Sequence, residues 1–459
     1  TKAAAQANSV PALIRLLSSP NDDAREQAAH ALGNIADDSP SCRDLVLQSG
    51  VIQPLLQRLH ENSDLSMLRV GARTLSKLCG GKPQPKLEMV KSALPTLARL
   101  IISNRDEEVL ADACEALSYL CDDPDEQIQA VLDTGVCPHL VSVLSSDPAP
   151  AVRAPALRAI SNIASGNDQQ TQAVVDSGAL PCLLAFLSNP EKATRKSACL
   201  AISNIAGGNK EQLRALFENN IIPPIIQLMT NDEDCTVRKE AVWTIANATS
   251  SGGPDEIKFL VEQRCIPPLC QSLSVDDVRI ISIALGTLEK ILKIGQEDAN
   301  RSGNFNQMAA IVEQADGFSK IEELQQLPNN DVSEKSTRIL ESCFGDSTVP
   351  PPSTEDETPT EVSSTAPPQL VCPMTHGLMN DPVVAEDGHT YERAAISRYF
   401  RSCAANGKTL TSPMTRGVLQ SNLLVPNVAI RSLCREHQES AQPATTSAEN
   451  SNQEPNPAI

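Results

Sequence analysis

The chain has 459 residues, 41% of them hydrophobic and 21% charged, with a formal net charge of -19. It is long enough to bury substantial cores in more than one folding unit, and its charge repels phosphate backbones, so nucleic acid is not an expected partner. Aromatics make up only 2%, with Trp243 the single tryptophan, which leaves base stacking poorly supplied.

No run approaches the roughly 18 apolar residues that a membrane helix needs, and no charged-then-apolar signal segment opens the chain, so no membrane partner is expected. The 14 cysteines are spread along the chain without a C-x-x-C pair and read as small buried residues of a reducing compartment, cytoplasmic or nuclear. The first residue is Thr1, and the opening reads like the middle of a repeat, as in a fragment.

From the N-terminus, one phrase recurs: a small residue, apolar residues around a proline, then a leucine-rich run. It appears as Val10-Pro11-Ala12-Leu13, Gly50-Val51-Ile52-Gln53-Pro54-Leu55, Ala93-Leu94-Pro95, Gly135-Val136-Cys137-Pro138, Gly178-Ala179-Leu180-Pro181, Ile221-Ile222-Pro223 and Cys265-Ile266-Pro267. The period is about 42 to 44 residues, in the range of armadillo-type helical repeats. A second phrase follows the first by about 23 residues and keeps the register: Ala31-Leu32-Gly33-Asn34-Ile35-Ala36, Ala159-Ile160-Ser161-Asn162-Ile163-Ala164, Ala201-Ile202-Ser203-Asn204-Ile205-Ala206 and Thr244-Ile245-Ala246-Asn247-Ala248.

Apolar residues within a unit follow helical spacing, as with Ala28, Leu32 and Ile35. Gly or Asn before each proline phrase stops one helix, and the proline fits the first turn of the next. Such a unit cannot cover its own apolar face, so about eight of them are expected to stack as a right-handed solenoid with one concave groove suited to a peptide.

Residues 1–344 resemble importin alpha from its third armadillo repeat onward, on the phrases above together with Glu108-Val109-Leu110-Ala111-Asp112-Ala113-Cys114, Pro155-Ala156-Leu157-Arg158-Ala159-Ile160 and Ile291-Leu292-Lys293-Ile294-Gly295. In that family Trp and Asn, four residues apart on one helix face, hold a basic peptide, the rings flanking lysine stems and the amides binding the ligand backbone. The resemblance implies groove roles for Asn34, Asn162, Asn204 and Asn247, with Asp38 also retained. The family's Trp positions read His30, Arg73, Glu115 and Leu200, with only Trp243 kept. Arg73 and Lys77 put positive charge where a basic ligand should lie, so the N-terminal groove is expected to repel it. Asn204, Glu240, Trp243 and Asn247 form one remaining pocket for a lysine or arginine.

Residues 345–369 are rich in Pro, Ser, Thr and Glu and read as an extended linker; 438–459 read as a similar tail. Between them, 370–437 is a segment of about 68 residues, near the lower limit for an independent domain. Pro and Gly punctuate two loops around a short hairpin, Glu392 to Phe400 has helical spacing, and Asn427 can cap a last helix, as in a small α+β module. On a cross-braced zinc template the ligand positions fall at Cys372, Thr375, Asp387, His389, Glu392, Ala395, Ser412 and Thr415, of which only Cys372 and His389 would hold zinc well. The remaining polar groups can hydrogen-bond each other and the loop backbones instead, so no metal and no cofactor is expected.

The segment from Leu370 to about Glu436 resembles the U-box family, on Cys372-Pro373-Met374-Thr375, Leu378-Met379-Asn380-Asp381-Pro382-Val383, Asp387-Gly388-His389-Thr390-Tyr391-Glu392-Arg393, Ser412-Pro413-Met414-Thr415-Arg416 and Val425-Pro426-Asn427. The resemblance implies that Met374, His376 and Pro413 touch a ubiquitin-conjugating enzyme charged with ubiquitin, and that Arg416 bridges the enzyme and ubiquitin. A ligase follows, needing no nucleophile of its own, whose solenoid receives a protein substrate with a basic segment. The alternative is an import-signal adaptor carrying an accessory U-box, with a nuclear transport receptor as a further partner. The basic segment by which importin alpha recruits that receptor is not among these residues.

Overall fold

The computed structural model describes residues 9–60, 63–122, 125–302, 306–344, 367–375, 377–405, 409–419, 421 and 424–441. Most of the expected linker (345–366) and most of the expected tail (442–459) lie outside these residues. The chain divides into two compact units, Thr1–Pro350 and Pro351–Ile459.

The first unit is the expected helical solenoid. The longest helix of each repeat is α1 (Asp22–Asp38), α2 (Leu65–Cys79), α3 (Glu107–Leu120), α4 (Pro150–Ala164), α5 (Lys192–Ala206), α6 (Cys235–Ser251), α7 (Val278–Ser302) and α8 (Asn330–Ile339). Asn21, Asp64, Asp106, Asp234 and Asn329 cap five of these by accepting a backbone N–H of the first turn. Shorter helices precede them, with proline in the first turn at Pro95, Pro138, Pro223 and Pro267. The turn before the proline phrase needs a left-handed residue, and Gly50, Gly135 and Gly178 supply it at φ 80°, 71° and 78°. In later repeats Asn220, Arg264 and Asp316 adopt the same conformation at φ 58°, 66° and 59° without being glycine.

Consecutive long helices pack side by side and share one continuous apolar core from Val10 to Ile339. Leu32, Leu75, Leu117 and Ile160 are fully enclosed there, and truncating one such leucine to alanine typically costs about 2 to 5 kcal/mol. Polar bonds add register between repeats. The Thr74 hydroxyl donates to the Ala29 carbonyl at 3.0 Å, Arg195 forks onto Asp232 at 2.6 and 3.0 Å, and Arg338 onto Glu289 at 2.8 and 2.9 Å.

The second unit has its own smaller core around Leu370, Val383, Tyr391, Ile396 and Phe400. Its strands are β1 (Pro382–Val384), β2 (Thr390–Glu392) and β3 (Val425–Pro426), in the order β2-β1-β3. Both pairings are antiparallel, with Val383 opposite Tyr391 on one side and Pro426 on the other. Helix α9 (Arg393–Ala405) follows the hairpin, and α10 (Val428–Ala441) closes the unit behind its cap Asn427, which accepts from the Ile430 N–H at 3.2 Å. Helix α10 runs to Ala441, into the stretch read from composition as tail.

Twelve of the 14 cysteines are buried, while Cys343 is partly covered and Cys235 exposed. Burial pushes the thiols of Cys79, Cys114, Cys199, Cys265 and Cys270 up to about 12, so they remain protonated and inert at neutral pH.

Candidate functional site

Two candidate sites occur, one in each unit. In the second, two loops are built alike. In the first, the Cys372 N–H donates to the Gly377 carbonyl at 2.9 Å and the Met379 N–H to the Leu370 carbonyl at 2.9 Å. In the other, the Ser412 N–H donates to the Gly417 carbonyl at 2.8 Å and the Leu419 N–H to the Leu410 carbonyl at 2.9 Å. Each is anchored by its leading side chain: Cys372 Sγ accepts the Met374 N–H at 3.5 Å, and Ser412 Oγ accepts those of Met414 and Thr415 at 3.1 and 2.9 Å. The shared Pro-Met-Thr-x-Gly run of Pro373 to Gly377 and Pro413 to Gly417 is the signal for this duplication, and reading the two loops separately misses it.

The template positions are joined by hydrogen bonds. The Glu392 carboxylate accepts the Asn380 N–H at 2.8 Å and the Asp381 N–H at 3.2 Å, and the Glu392 N–H donates to Cys372 Sγ at 3.2 Å. Asp381 in turn holds Arg393 at 2.7 Å and Arg431. Asp387 accepts the Tyr391 hydroxyl at 2.6 Å and the His389 N–H at 3.0 Å. Burial works against the Asp387 charge, but bonds from Ser412, Tyr391 and the His389 backbone outweigh it and hold the carboxyl below its usual range. Burial first, then the bond to Asp387, pushes the Tyr391 phenol up to about 12. Among the described residues no group of three or more His, Cys, Asp or Glu side chains is placed to hold a metal ion.

Between the loops and α9 lies an open cleft of about 520 Å³, lined by Pro373, Met374, Tyr399, Pro413, Met414 and Arg416 among others. Met414 is 50% exposed, an apolar side chain offered to solvent. Three of the expected contact residues, Met374, Pro413 and Arg416, are thus brought together. His376 lies outside the described residues. Arg416 is exposed and left-handed at φ 56°, with its N–H donating to the Ser412 carbonyl at 2.9 Å, so its backbone is held at the loop tip and its side chain is exposed there.

The solenoid site follows the long helices. Asn162 Nδ2 donates to the Ser118 carbonyl at 2.9 Å, Asn204 to Ser161 at 2.9 Å and Asn247 to Ser203 at 3.0 Å, so each amide reaches back one repeat. The amide nitrogens of Asn204 and Asn247 also reach the Ser161 and Ser203 hydroxyls at 3.5 and 3.1 Å, so the nitrogens are committed to the scaffold and the amide oxygens are the groups turned to a ligand. Trp243 is 42% exposed and Leu200 39% exposed on the adjacent helix. Burial raises the Glu240 carboxyl above its usual range against the pull of Lys196, whose ammonium stands 3.8 Å away.

The N-terminal stretch differs from expectation. Arg73 and Lys77 are paired cations, not a free positive surface. Lys77 Nζ lies 3.1 Å from Asn34 Oδ1 and 3.3 Å from Asp37, and Arg73 reaches Glu108 at 2.9 Å and Asp112 at 3.5 Å. Arg158 lies 3.5 Å from Glu115 and 5.1 Å from the Tyr119 ring centre. Asp38 is exposed and accepts the Cys42 thiol at 3.7 Å. Arg73, Lys77, Asp112, Glu115 and Tyr119 line a cleft of about 360 Å³.

A stacked helical solenoid followed by a small module of paired loops defines an armadillo-repeat protein with a U-box. The U-box domain model matches residues 366–442, and the Armadillo/beta-catenin-like repeat model matches 1–37, 39–80, 82–122, 124–165, 167–207 and 253–293. A HEAT-like repeat model matches 194–248 and an atypical Arm repeat model 306–360. Importin subunit alpha-1b of Oryza sativa subsp. japonica is 51% identical over 345 residues, covering 75% of this chain and 64% of its own. Importin subunit alpha-2 of Arabidopsis thaliana is 51% identical over 356 residues, covering 76% and 66%. Importin subunit alpha-8 of Arabidopsis thaliana is 42% identical over 334 residues, covering 72% and 74%. The crystal structure of an engineered protein superposes with a TM-score of 0.63 at 26% identity, over 74% of this chain and 90% of that one. The chain belongs to the importin alpha family of armadillo-repeat proteins and carries a U-box domain. It spans 64% and 66% of the length of the first two relatives.

Proposed function

We propose that the chain is a ubiquitin-protein ligase in which the U-box recruits a conjugating enzyme charged with ubiquitin and the solenoid groove receives the substrate. The observation that carries this reading is the cleft where Met374, Pro413, exposed Met414 and Arg416 meet on two hydrogen-bonded loops. Met374 and Pro413 supply the docking surface, with His376 beside them in sequence. Arg416 offers a planar fork of donors that can hold enzyme and ubiquitin in one reactive pose, a positioning effect that can supply several kcal/mol. A substrate lysine amine attacks the thioester carbon, an isopeptide C–N bond forms as the C–S bond breaks, and the conjugating enzyme's thiolate leaves, the amine giving up one proton to solvent. Residues 345–369 serve as the linker between receptor and ligase in this proposal.

For the receptor, Asn204, Glu240, Trp243 and Asn247 form a pocket for one lysine or arginine of a peptide, with the aromatic face and the carboxylate both favouring a cation. The amide ladder and the 51% identity to importin subunits support a second reading, an import adaptor shuttling between cytoplasm and nucleus with an accessory U-box. An ubiquitination assay of the purified chain against a panel of conjugating enzymes decides between them. Ubiquitin transfer with at least one member is expected; none with any member rules out the ligase.

A further inference from the structure

The groove is chemically divided. On α1, α2, α3 and α4 the ligand-facing groups are already engaged within the chain: Lys77 with Asn34 and Asp37, Arg73 with Glu108 and Asp112, Arg158 with Glu115. Further bonds stiffen this ladder. The Arg158 guanidinium donates to Ser118 Oγ at 2.9 Å, the Ser76 hydroxyl to Glu115 at 3.2 Å and the Tyr119 hydroxyl to Glu115 at 3.1 Å. On α5 and α6 Glu240 has a single, looser ion pair, with Lys196 at 3.8 Å, and Trp243 and Leu200 are exposed.

With Arg69, which pairs with Asp106 and Glu108, the N-terminal stretch counts five acids, Asp37, Asp106, Glu108, Asp112 and Glu115, against four cations, Arg69, Arg73, Lys77 and Arg158, so surplus positive charge is not what would exclude a basic ligand. We infer that Lys77 and Arg73 act as resident ligands, specificity-determining side chains that occupy in cis the amide and carboxylate groups an incoming basic peptide would need. A tethered side chain competes at the high effective concentration of an intramolecular partner, and a peptide at micromolar concentration must displace it. Basic peptides are thereby confined to the Trp243 pocket and read as a short segment. The inference rests on the peptide-receptor reading above and deepens it.

The test is fluorescence anisotropy of a labelled lysine- and arginine-rich peptide with the full chain at low salt. In a Trp243→Ala background, which weakens the other pocket, Arg73→Gln with Lys77→Gln is expected to raise affinity tenfold or more. Lys77→Gln alone, at a groove-facing position, gives a smaller gain in the same direction. Adding Asp37→Asn and Asp112→Asn to the doubled variant should remove the gain, because the released acids are what the peptide binds. No gain in variants that keep wild-type helical circular dichroism overturns the inference, as does a gain that survives loss of the acids. Wild-type chain showing no Trp243-dependent binding, together with a gain in the doubled variant, sinks the Trp243 pocket and leaves the resident ligands standing.

Discussion

Asp387 and Tyr391, four residues apart across the β1–β2 hairpin, share a 2.6 Å hydrogen bond beneath a ring with no solvent exposure, and Ser412 of the second loop bonds the same carboxylate. One carboxylate thus ties the hairpin to the loop that carries Pro413 and Arg416. Tyr391→Phe keeps the ring and deletes the hydroxyl, and should cost the module about 1.5 to 3 kcal/mol, the range for a hydrogen bond to a charged group. Faster hydrogen exchange at Ser412 to Gly417, with the solenoid unchanged, is the readout. The Asp387 carboxyl is depressed in the fold, so its contribution is present above the unfolded pKa and fades as pH falls through the folded one.

The loops are held by Cys372, Glu392, Asp387 and Ser412 through hydrogen bonds. The module should therefore keep its fold through chelator treatment. Elemental analysis giving one zinc or more per chain, lost together with near-ultraviolet dichroism, would show that a metal holds the loops.

Met374 and Arg416 line the same cleft with different chemistry. Met374→Ala should weaken conjugating-enzyme docking and transfer together. Arg416→Ala should leave docking largely intact and still abolish transfer. Binding titrations alongside single-turnover discharge separate the two, and wild-type discharge from both variants removes these residues from the site.

Trp243 is the single tryptophan, and its exposed ring is the natural partner of a ligand cation. Trp243→Ala should weaken basic-peptide binding by about 0.5 to 2 kcal/mol, roughly two- to thirtyfold, with the wild-type affinity falling as salt rises. Tight binding indifferent to this substitution favours the adaptor reading.

Asp112 is held by burial at about 6, against the pull of Arg73, and its Oδ2 has no hydrogen bond. The folded chain therefore binds more protons than the unfolded one between about pH 4 and 6, so solenoid stability should fall as pH rises through that window. Asp112→Asn should flatten the dependence and stabilise the neutral-pH protein by on the order of 2 kcal/mol, seen as a higher urea midpoint.

The solenoid is legible in the sequence because each unit repeats both a helix stop and an apolar stripe, and two anchors in one register leave little freedom. The left-handed turns at Arg264 and Asp316 escape such a reading, since no glycine marks them. The pairing of Arg73 and Lys77 escapes it too. Asp37, Glu108 and Asp112 belong to neighbouring repeats or turns, and only the stacking distance says that they meet. In the U-box the positions of Met374, Pro413 and Arg416 could be read off the loop phrases, whereas the part Glu392 plays in clamping the first loop required coordinates.

Cys235 stands alone among the 14 cysteines in being exposed, at the start of α6 and eight residues before Trp243. A maleimide dye added to the folded chain will find this sulfur far sooner than the enclosed ones. The natural sequence thus comes with a reporter already installed on the helix that bears the peptide pocket.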